Sequence, residues 1–446
     1  MAHSIAAPPT EPMPVLTARP PWRETFVSLR VPNYRRFAAS NLVANTAVWM
    51  QRIAMDWLVL QLSGSVAAVG ITVFMQFTPM LVFGLYGGVI ADRYSKQKLL
   101  IITQSIAALL AALLAALTLT DAVQVWHVYA ISFALGLVTV VDNPTRQVFV
   151  SELVGPHYLR NAISLNSSIF QLGGLIGPAV AGVLITAVGG GWSFAINSVA
   201  CLAVVGSLIS LKRSQLHSSP AAPRAKGQLI EGIRYVRGKP VIFWTVVMVA
   251  VVAVFAFNMP VFLAAYANNV FDVGAQGYGL FNALVAAGAL TGALASTRRT
   301  SIRLSMVVGT AAALGIVQAF AGFAPTELAF GALLVGIGVA NLLFVTAANS
   351  LVQMSSNVQI RGRVMSLYIL VLLGGQALGG PLMGWIVESF GPHVAMTISG
   401  LVPASAAVVI ALLIARSASL RLKFSLRGRR PSLAIVTRAG KTGARL

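Results

Sequence analysis

Where the basic residues of this chain fall leaves its fold little freedom. Of 32 lysines and arginines, all but Arg52 lie in the two tails or in, or at the edge of, alternate connections between long apolar runs, Arg146 just inside the end of one run. Twelve such runs can be read: 37–62, 66–90, 99–119, 126–150, 161–188, 193–211, 241–263, 277–296, 304–323, 327–350, 364–387 and 393–415. Basic residues number five before 37, three in 91–98, two around 150–160 (Arg146 and Arg160), seven in 212–240, three in 297–303, two in 351–363 and nine after 415. The intervening connections 63–65, 120–125, 189–192, 264–276, 324–326 and 388–392 hold none. Lysine and arginine resist translocation, so this alternation places both termini in the cytoplasm and requires an even number of crossings. Each run has the length needed to cross roughly 30 Å of hydrocarbon with some tilt. The expected fold class is an all-α integral membrane protein with twelve transmembrane helices in two six-helix bundles.

Composition narrows the function classes. Hydrophobic residues make up 57% of the chain and charged ones 10%, against about a quarter charged in soluble domains. A net charge of +21 raises nucleic-acid binding, but the charge sits in short loops and tails beside apolar runs. It reads instead as topology signal and as attraction to anionic lipid, the partner expected at the basic tail, and no nucleic-acid partner is expected. Cys201 is the single cysteine, which excludes an internal disulfide. His3, His127, His157, His217 and His393 lack ligand spacing, so no metal site is expected. No phosphate-binding Gly-x-x-x-x-Gly-Lys-Ser/Thr loop and no nucleophile–base set is visible, so ATP drive and enzymatic activity are not expected.

The chain divides into a disordered N-terminal tail (1–36), a first bundle (37–211), a cytoplasmic linker (212–240), a second bundle (241–415) and a basic cytoplasmic tail (416–446). Within the linker, the polar stretch Ser214–Lys226 precedes Gln228–Lys239, a basic amphipathic segment suited to the inner membrane surface. The bundles echo each other at an offset of about 203 residues: Gly84 and Gly88 match Gly288 and Gly292, and Gly177-Pro178 matches Gly380-Pro381. Gly-Pro pairs at corresponding points of two halves mark a transporter built from repeats around a central site.

The connection after the second run reads Gly88-Val89-Ile90-Ala91-Asp92-Arg93-Tyr94-Ser95-Lys96-Gln97-Lys98. Gly88 suits close helix approach, Asp92 can cap a neighbouring helix, and Lys96 can pair with an acid, for which Asp142 is the choice. The fifth run carries Gly173-x-x-x-Gly177-Pro178-x-x-x-Gly182, small residues for tight packing with a proline kink. These two motifs resemble the signature loop and the antiporter motif of the major facilitator superfamily. Further stretches, among them Asp56-Trp57-Leu58-Val59-Leu60-Gln61-Leu62, Asp142-Asn143-Pro144-Thr145-Arg146-Gln147 and Arg361-Gly362-Arg363-Val364-Met365-Ser366, resemble its bacterial branch of siderophore and multidrug exporters. The resemblance spans about residues 26–415. It implies the two-bundle fold, alternating access, and a latch at the inner gate formed by Gly88, Asp92, Arg93 and Lys96, with Asp142 and Arg146 assigned to the same network. Ser95 stands where the family has glycine, and Ser296 stands where a second latch acid would be.

Inside the first run, Asn41, Arg52, Asn45, Asp56 and Trp49 fall at about 0°, 20°, 40°, 60° and 80° around a helix advancing 100° per residue. They form one polar stripe that the resemblance turns toward the central cavity. Charges in a span are rare, because a mid-helix charge costs about 2.5–3.5 kcal/mol or more. Asp56 is the preferred proton-coupling acid, with Arg52, Asn45 and Trp49 beside it as coupling or cargo residues; the other reading of Arg52 and Asp56 is a structural or outer-gate ion pair. Asn143, Gln171, Asn258 and Gln376 are weaker polar candidates, and Trp49, Phe74, Phe77, Phe170 and Phe257 offer apolar surface to a cargo.

The expected activity is proton-driven export of an amphipathic small molecule, drug-like or siderophore, by a monomer in the cytoplasmic membrane. The proton gradient serves as energy source and no cofactor is needed. Two other readings stand: an importer or facilitator of the same fold, and a lipid-handling or sensor protein without soluble cargo. The topology is open to direct measurement. In a Cys201→Ala background, single cysteines at Ser214, Ser301 and Ser417 are expected to react with impermeant thiol reagents only from the cytoplasm, and those at Asn269 and Ala324 only from outside. Labelling of position 301 from outside would overturn the span assignment.

Overall fold

Helix boundaries in the computed structural model follow local backbone chemistry. The structure describes residues 26–211, 216, 228–296, 303–357, 360–417, 420–425 and 432–437. The proline-rich N-terminal stretch, nearly all of the Ser214–Lys226 linker, the loop around Ser301 and the last nine residues lie outside the described residues. Helix α1 (Pro32–Ser63) opens on a proline, whose missing N–H costs nothing in a first turn, and stops at Gly64 with φ 65°. Helix α2 (Val66–Arg93) is capped by Ser65, whose Oγ accepts from the Ala68 amide at 3.2 Å. Helix α3 is Lys96–Leu119. Helix α4 (Val125–Val188) has two limbs, Val125–Gly155 and His157–Val188, that meet at Gly155, whose φ of 67° breaks the helical path. Helix α5 (Gly191–Ile209) completes the first bundle.

The amphipathic linker segment forms helix α6 (Gln228–Arg237). Next come α7 (Pro240–Phe255) and α8 (Met259–Ala265), separated by a break at 256–258, and then a π-helical turn, Tyr266–Val270. Helices α9 (Gly274–Ser296), α10 (Leu304–Ala321), α11 (Glu327–Ser355), α12 (Arg361–Phe390) and α13 (Pro392–Ser417) follow. The stretch read as a solvated basic tail contains an antiparallel pair of strands, β1 (Leu420–Ser425) and β2 (Ser432–Thr437), in register from Leu420 opposite Thr437 to Ser425 opposite Ser432. The charge count hid the pattern that forms these strands.

Among the described residues, eleven helical stretches are long and apolar enough to cross a membrane. Helix α1 is not one of them. At 32 residues it has the length, but Asn33, Arg35, Arg36 and its inner polar stripe dilute its apolar character.

The halves repeat one packing scheme. The backbone of α2 crosses the first limb of α4 where Gly87 meets the Val140 carbonyl, and α9 crosses α11 where Gly288 meets the Val335 carbonyl. In the first half a buried contact glycine is Gly87. Gly88, expected to serve this approach, is half-buried one position further round the helix. The Gly-Pro motif of α4 seats Gly173 against Asn45 and Gly177 against Trp49 and Thr46 of α1, and its counterpart on α12 seats Gly375 and Gly379 against α7. Two seams join the halves. On one, Gly70 and Gly380 of α2 and α12 face each other and Gly384 meets Ala67; on the other, Gly279 of α9 lies against Pro178 and Gly182.

A Cβ at Gly70 would overlap the Gly380 carbonyl group. Gly70→Val is therefore expected to cost about 1–3 kcal/mol, as overpacked interiors do, and to lower the melting temperature of purified protein. An unchanged melting temperature would show that the seam tolerates a wider spacing.

Candidate functional site

The site is a cavity of about 360 Å³ set within the first bundle, with Leu373 of α12 as its contact to the second. Its α1 wall can be read as an arc. From Gln51 at about 280° through Val48 near 340° to Asn45 at about 40°, the α1 residues that line the cavity share one third of the helix surface. Asn41 and Arg52, at about 0° and 20°, are inside the arc; Asp56 and Trp49, at about 60° and 80°, are past its edge. The polar stripe predicted as one surface thus divides between two.

Asn45 donates to the Ile169 and Phe170 carbonyls at 3.0 and 3.2 Å, tying α1 to the second limb of α4. Trp49 lies on that limb, edge-on to Phe170 at 5.5 Å between ring centroids. Asp56 is 8% exposed and belongs to the contact between halves, not to the cavity. Its Oδ2 accepts from the Tyr278 hydroxyl of α9 at 3.1 Å, and the neighbouring Trp57 stacks on the Tyr278 ring at 5.8 Å. The ion pair of the alternative reading, Arg52 with Asp56, is not formed: neither residue has an ion pair within 4.0 Å among the described residues. Arg52 instead holds its guanidinium 5.2 Å from the centre of the Trp49 ring.

A second group of charges occupies the cavity wall. Arg146 Nε donates to Asp142 Oδ2 at 2.9 Å and its Nη2 to Oδ1 at 3.2 Å, a two-pronged pair. Asp142 Oδ1 also accepts from Thr103 at 2.8 Å and from Gln104 at 2.9 Å, both on α3. Arg146 Nη1 donates to Asn41 Oδ1 at 2.6 Å, and Asn41 passes the chain on to Asn166 at 2.9 Å. One network therefore ties α1, α3 and both limbs of α4.

This corrects the placement of Asp142 and Arg146 in the latch. The first limb of α4 runs to Gly155, so Asp142 lies about 20 Å from its end at 1.5 Å per residue. Lys96, at the start of α3, reaches Glu152 at 3.7 Å instead. Asp92 is half-buried in the last turn of α2 and Arg93 is exposed. Nearby, Gln97 donates to the Leu208 carbonyl at 2.6 Å, holding α3 to α5.

Of the apolar candidates, Phe77 and Phe170 line the cavity, whereas Phe257 packs edge-on to Phe344 at 6.3 Å. Asn143 lines it too, while Asn258 is buried at the α7–α8 break. Residues the sequence reading did not single out complete the wall: Gln51, which accepts from Asn197 at 2.6 Å, and Gln76. Glu388, near the end of α12, was also not anticipated. Its carboxylate accepts from the Ser65 hydroxyl and, at 3.1 Å, from the Ala67 amide, so it sits on the N-terminus of α2 across the seam. The signal for it was a lone acid just past the end of an apolar run. Asp56–Tyr278 and Glu388–Ser65 both lie at the face whose connections carry no lysine or arginine.

Repeated halves, two glycine seams and a cavity within the first bundle fit a major facilitator transporter, and solved structures agree on the fold. The nucleoside transporter NupG matches with a TM-score of 0.69 at 12% identity, over 86% of this chain and 99% of that one. An inward-facing bacterial homologue of the lysosomal transporter Spinster matches at 0.64 and 15%, over 85% and 95%. The chain belongs to the transmembrane secretion effector family of this superfamily, whose model matches residues 23–439. Among its relatives, the enterobactin exporter EntS of Citrobacter koseri is 23% identical over 83% of this chain and 88% of its own. The multidrug efflux pump Tap of Mycolicibacterium fortuitum is 25% identical over 80% and 89%. The staphyloferrin A transporter of Staphylococcus aureus is 31% identical over 33% of this chain and 38% of its own.

The charge pair generates a stability prediction. Asp142→Asn leaves Arg146 without its anion and is expected to destabilise the protein by about 3–5 kcal/mol. The double variant Asp142→Asn/Arg146→Gln should recover most of that loss in thermal unfolding. Strictly additive losses would show that the two residues are not coupled.

Proposed function

We propose that this transporter is a proton-driven exporter of amphipathic small molecules, crossing the cytoplasmic membrane twelve times with both termini inside and working by alternating access. The observation that carries the reading is a cavity of mixed amide, charged and aromatic walls, combined with contacts between halves at the face poor in lysine and arginine. By the charge rule that face is the outer one, so the conformation is the one closed to the outside. Relatives named as siderophore and drug exporters support the outward direction.

Helix α1 counts as the twelfth crossing on this reading, its polar arc hidden against the cavity and its apolar side meeting lipid. Asp142 is the one carboxylate on the cavity wall among the described residues, so we assign proton exchange to it. Releasing the proton inside restores the pair with Arg146; taking one up outside frees that arginine and loosens the network from α1 to α3. Asp56, the acid preferred from sequence alone, acts at the outer seam, where its carboxylate holds Tyr278. The Asp92–Lys96 loop keeps its assignment to the inner gate.

Transport into inside-out vesicles, energised by an imposed pH gradient and assayed with a panel of amphipathic dyes and iron-free siderophores, tests direction and coupling together. Wild type should accumulate cargo. Asp142→Asn, or the double variant with Arg146→Gln if the single one folds poorly, should lose uphill accumulation by at least about tenfold, some 1.4 kcal/mol, yet keep downhill exchange. Asp56→Asn should still pump, with lower yield from a weakened seam. Loss of coupling in folded Asp56→Asn, with Asp142→Asn active, would return the proton role to Asp56. Efflux from the vesicles would make the protein an importer.

A further inference from the structure

The cavity wall holds a positive charge that no carboxylate pairs with among the described residues. Among the lining residues, the charged ones are Arg52, Asp142 and Arg146. Asp142 is fully engaged, its two oxygens accepting from Arg146, Thr103 and Gln104. Arg52, half-buried on the α1 arc, makes no hydrogen bond or ion pair among the described residues. The acid that could have served it, Asp56, is turned away to Tyr278. The other walls of the cavity carry amides such as Gln76 and Asn143, and aromatic side chains such as Phe77 and Phe170. Amides solvate a guanidinium weakly and cannot neutralise it. A cation in a span costs about 2.5–3.5 kcal/mol or more, and among the described residues no carboxylate lies within ion-pair distance of this one; Asp56, on the next turn, acts on it only at longer range.

We propose that Arg52 is the anchor for an anionic group on the cargo, and that the cargo is an organic anion with an aromatic or otherwise apolar body. The guanidinium presents a planar fork that pairs bidentately with a carboxylate or comparable oxyanion. Trp49 underneath holds that plane in place at 5.2 Å, a cation–π contact that orients the fork without satisfying its N–H groups. An apolar body meets Phe77, Phe170 and Met80, while the amides serve its remaining polar groups. The proposal rests on the export reading only for where the cargo goes; binding to Arg52 requires neither a gradient nor a direction.

The test uses the full-length protein in nanodiscs of phosphatidylcholine and three probes with one body: 1-pyrenebutyrate, 1-pyrenebutanol and 4-(1-pyrenyl)butyl-trimethylammonium. Binding is read from energy transfer between tryptophan and pyrene. Wild type should bind the carboxylate at least about tenfold more tightly than the alcohol and should bind the ammonium most weakly. Arg52→Gln should level the anion with the alcohol while leaving alcohol affinity within about twofold, and Arg52→Lys should keep part of the preference. Equal affinities in wild type, or an anion preference that survives in Arg52→Gln of unchanged melting temperature, would overturn the proposal. Two further arms separate other anion sources. Loss of the preference in phosphatidylglycerol nanodiscs would assign Arg52 to a lipid headgroup, and full competition by millimolar inorganic phosphate would assign it to a small ion; either result overturns the cargo role. If wild type and Arg52→Gln export a cationic dye equally in the vesicle assay and no probe distinguishes them, this proposal falls and the export reading stands. A preference that depends on Arg52 without vesicle accumulation would do the reverse.

Discussion

Lipid gives helices no hydrophobic reason to leave it, so the packing of this protein depends on how closely backbones can approach. The contacts that matter are made where a side chain is missing: Gly70 on Gly380, Gly87 on Val140, Gly279 on Gly182, Gly288 on Val335. Each lets a carbonyl or Cα of one helix occupy the space of another's Cβ, which gains dispersion contact without ordering long side chains. Close approach also fixes helix rotation. Gly173 and Gly177 seat α1 on the second limb of α4, and that setting turns Asn41 and Arg52 toward the cavity and Asp56 toward α9. The chemistry of the site follows from where glycines were placed on a different helix.

The class of fold was legible because its signals are local and additive. Apolar length and loop charge are read one segment at a time, and the repeat could be seen in Gly177-Pro178 and Gly380-Pro381. The amphipathic linker helix was legible for the same reason, near Gln228–Arg237. Details that depend on angle or reach were not. The polar residues of α1 fall within about 80° and read as one surface, whereas the cavity edge divides them. Asp142 and Arg146 were assigned to the membrane boundary because the apolar run stops near 150, whereas the helix continues to Gly155 with polar residues on its exposed side. That error carried Lys96 to the wrong acid: Glu152 stands ten residues further along α4, about 15 Å nearer. Tyr278 and Glu388 escaped notice because their partners are 222 and 323 residues away. The strands at Leu420–Ser425 and Ser432–Thr437 alternate too briefly to stand out in a basic tail.

Charge placement inside the first bundle separates two jobs. The Asp142–Arg146 pair is internally balanced and hydrogen-bonded on several sides, and so it can hold α1, α3 and α4 in one arrangement. Arg52 has no ion-pair partner among the described residues and sits a little over three helical turns from Asn41, where that network meets α1. A ligand that engages Arg52 therefore touches the same helix that the network holds, which gives binding a direct mechanical route to the pair without any long chain of intermediates.

The Glu388 contact makes α2 a helix finished by a residue from the other half of the molecule. Its first turn has Ser65 for one amide and a borrowed carboxylate for another. Parting the halves at that face strips the end of α2 of its negative charge and leaves its leading N–H groups to water. Fraying is confined to one turn and water is at hand, so the penalty is small and reversible, on the scale of about 0.3–1 kcal/mol for a helix-end charge. On the proposed alternating-access cycle, such a closure is specific enough to define the closed geometry and weak enough to be undone each time.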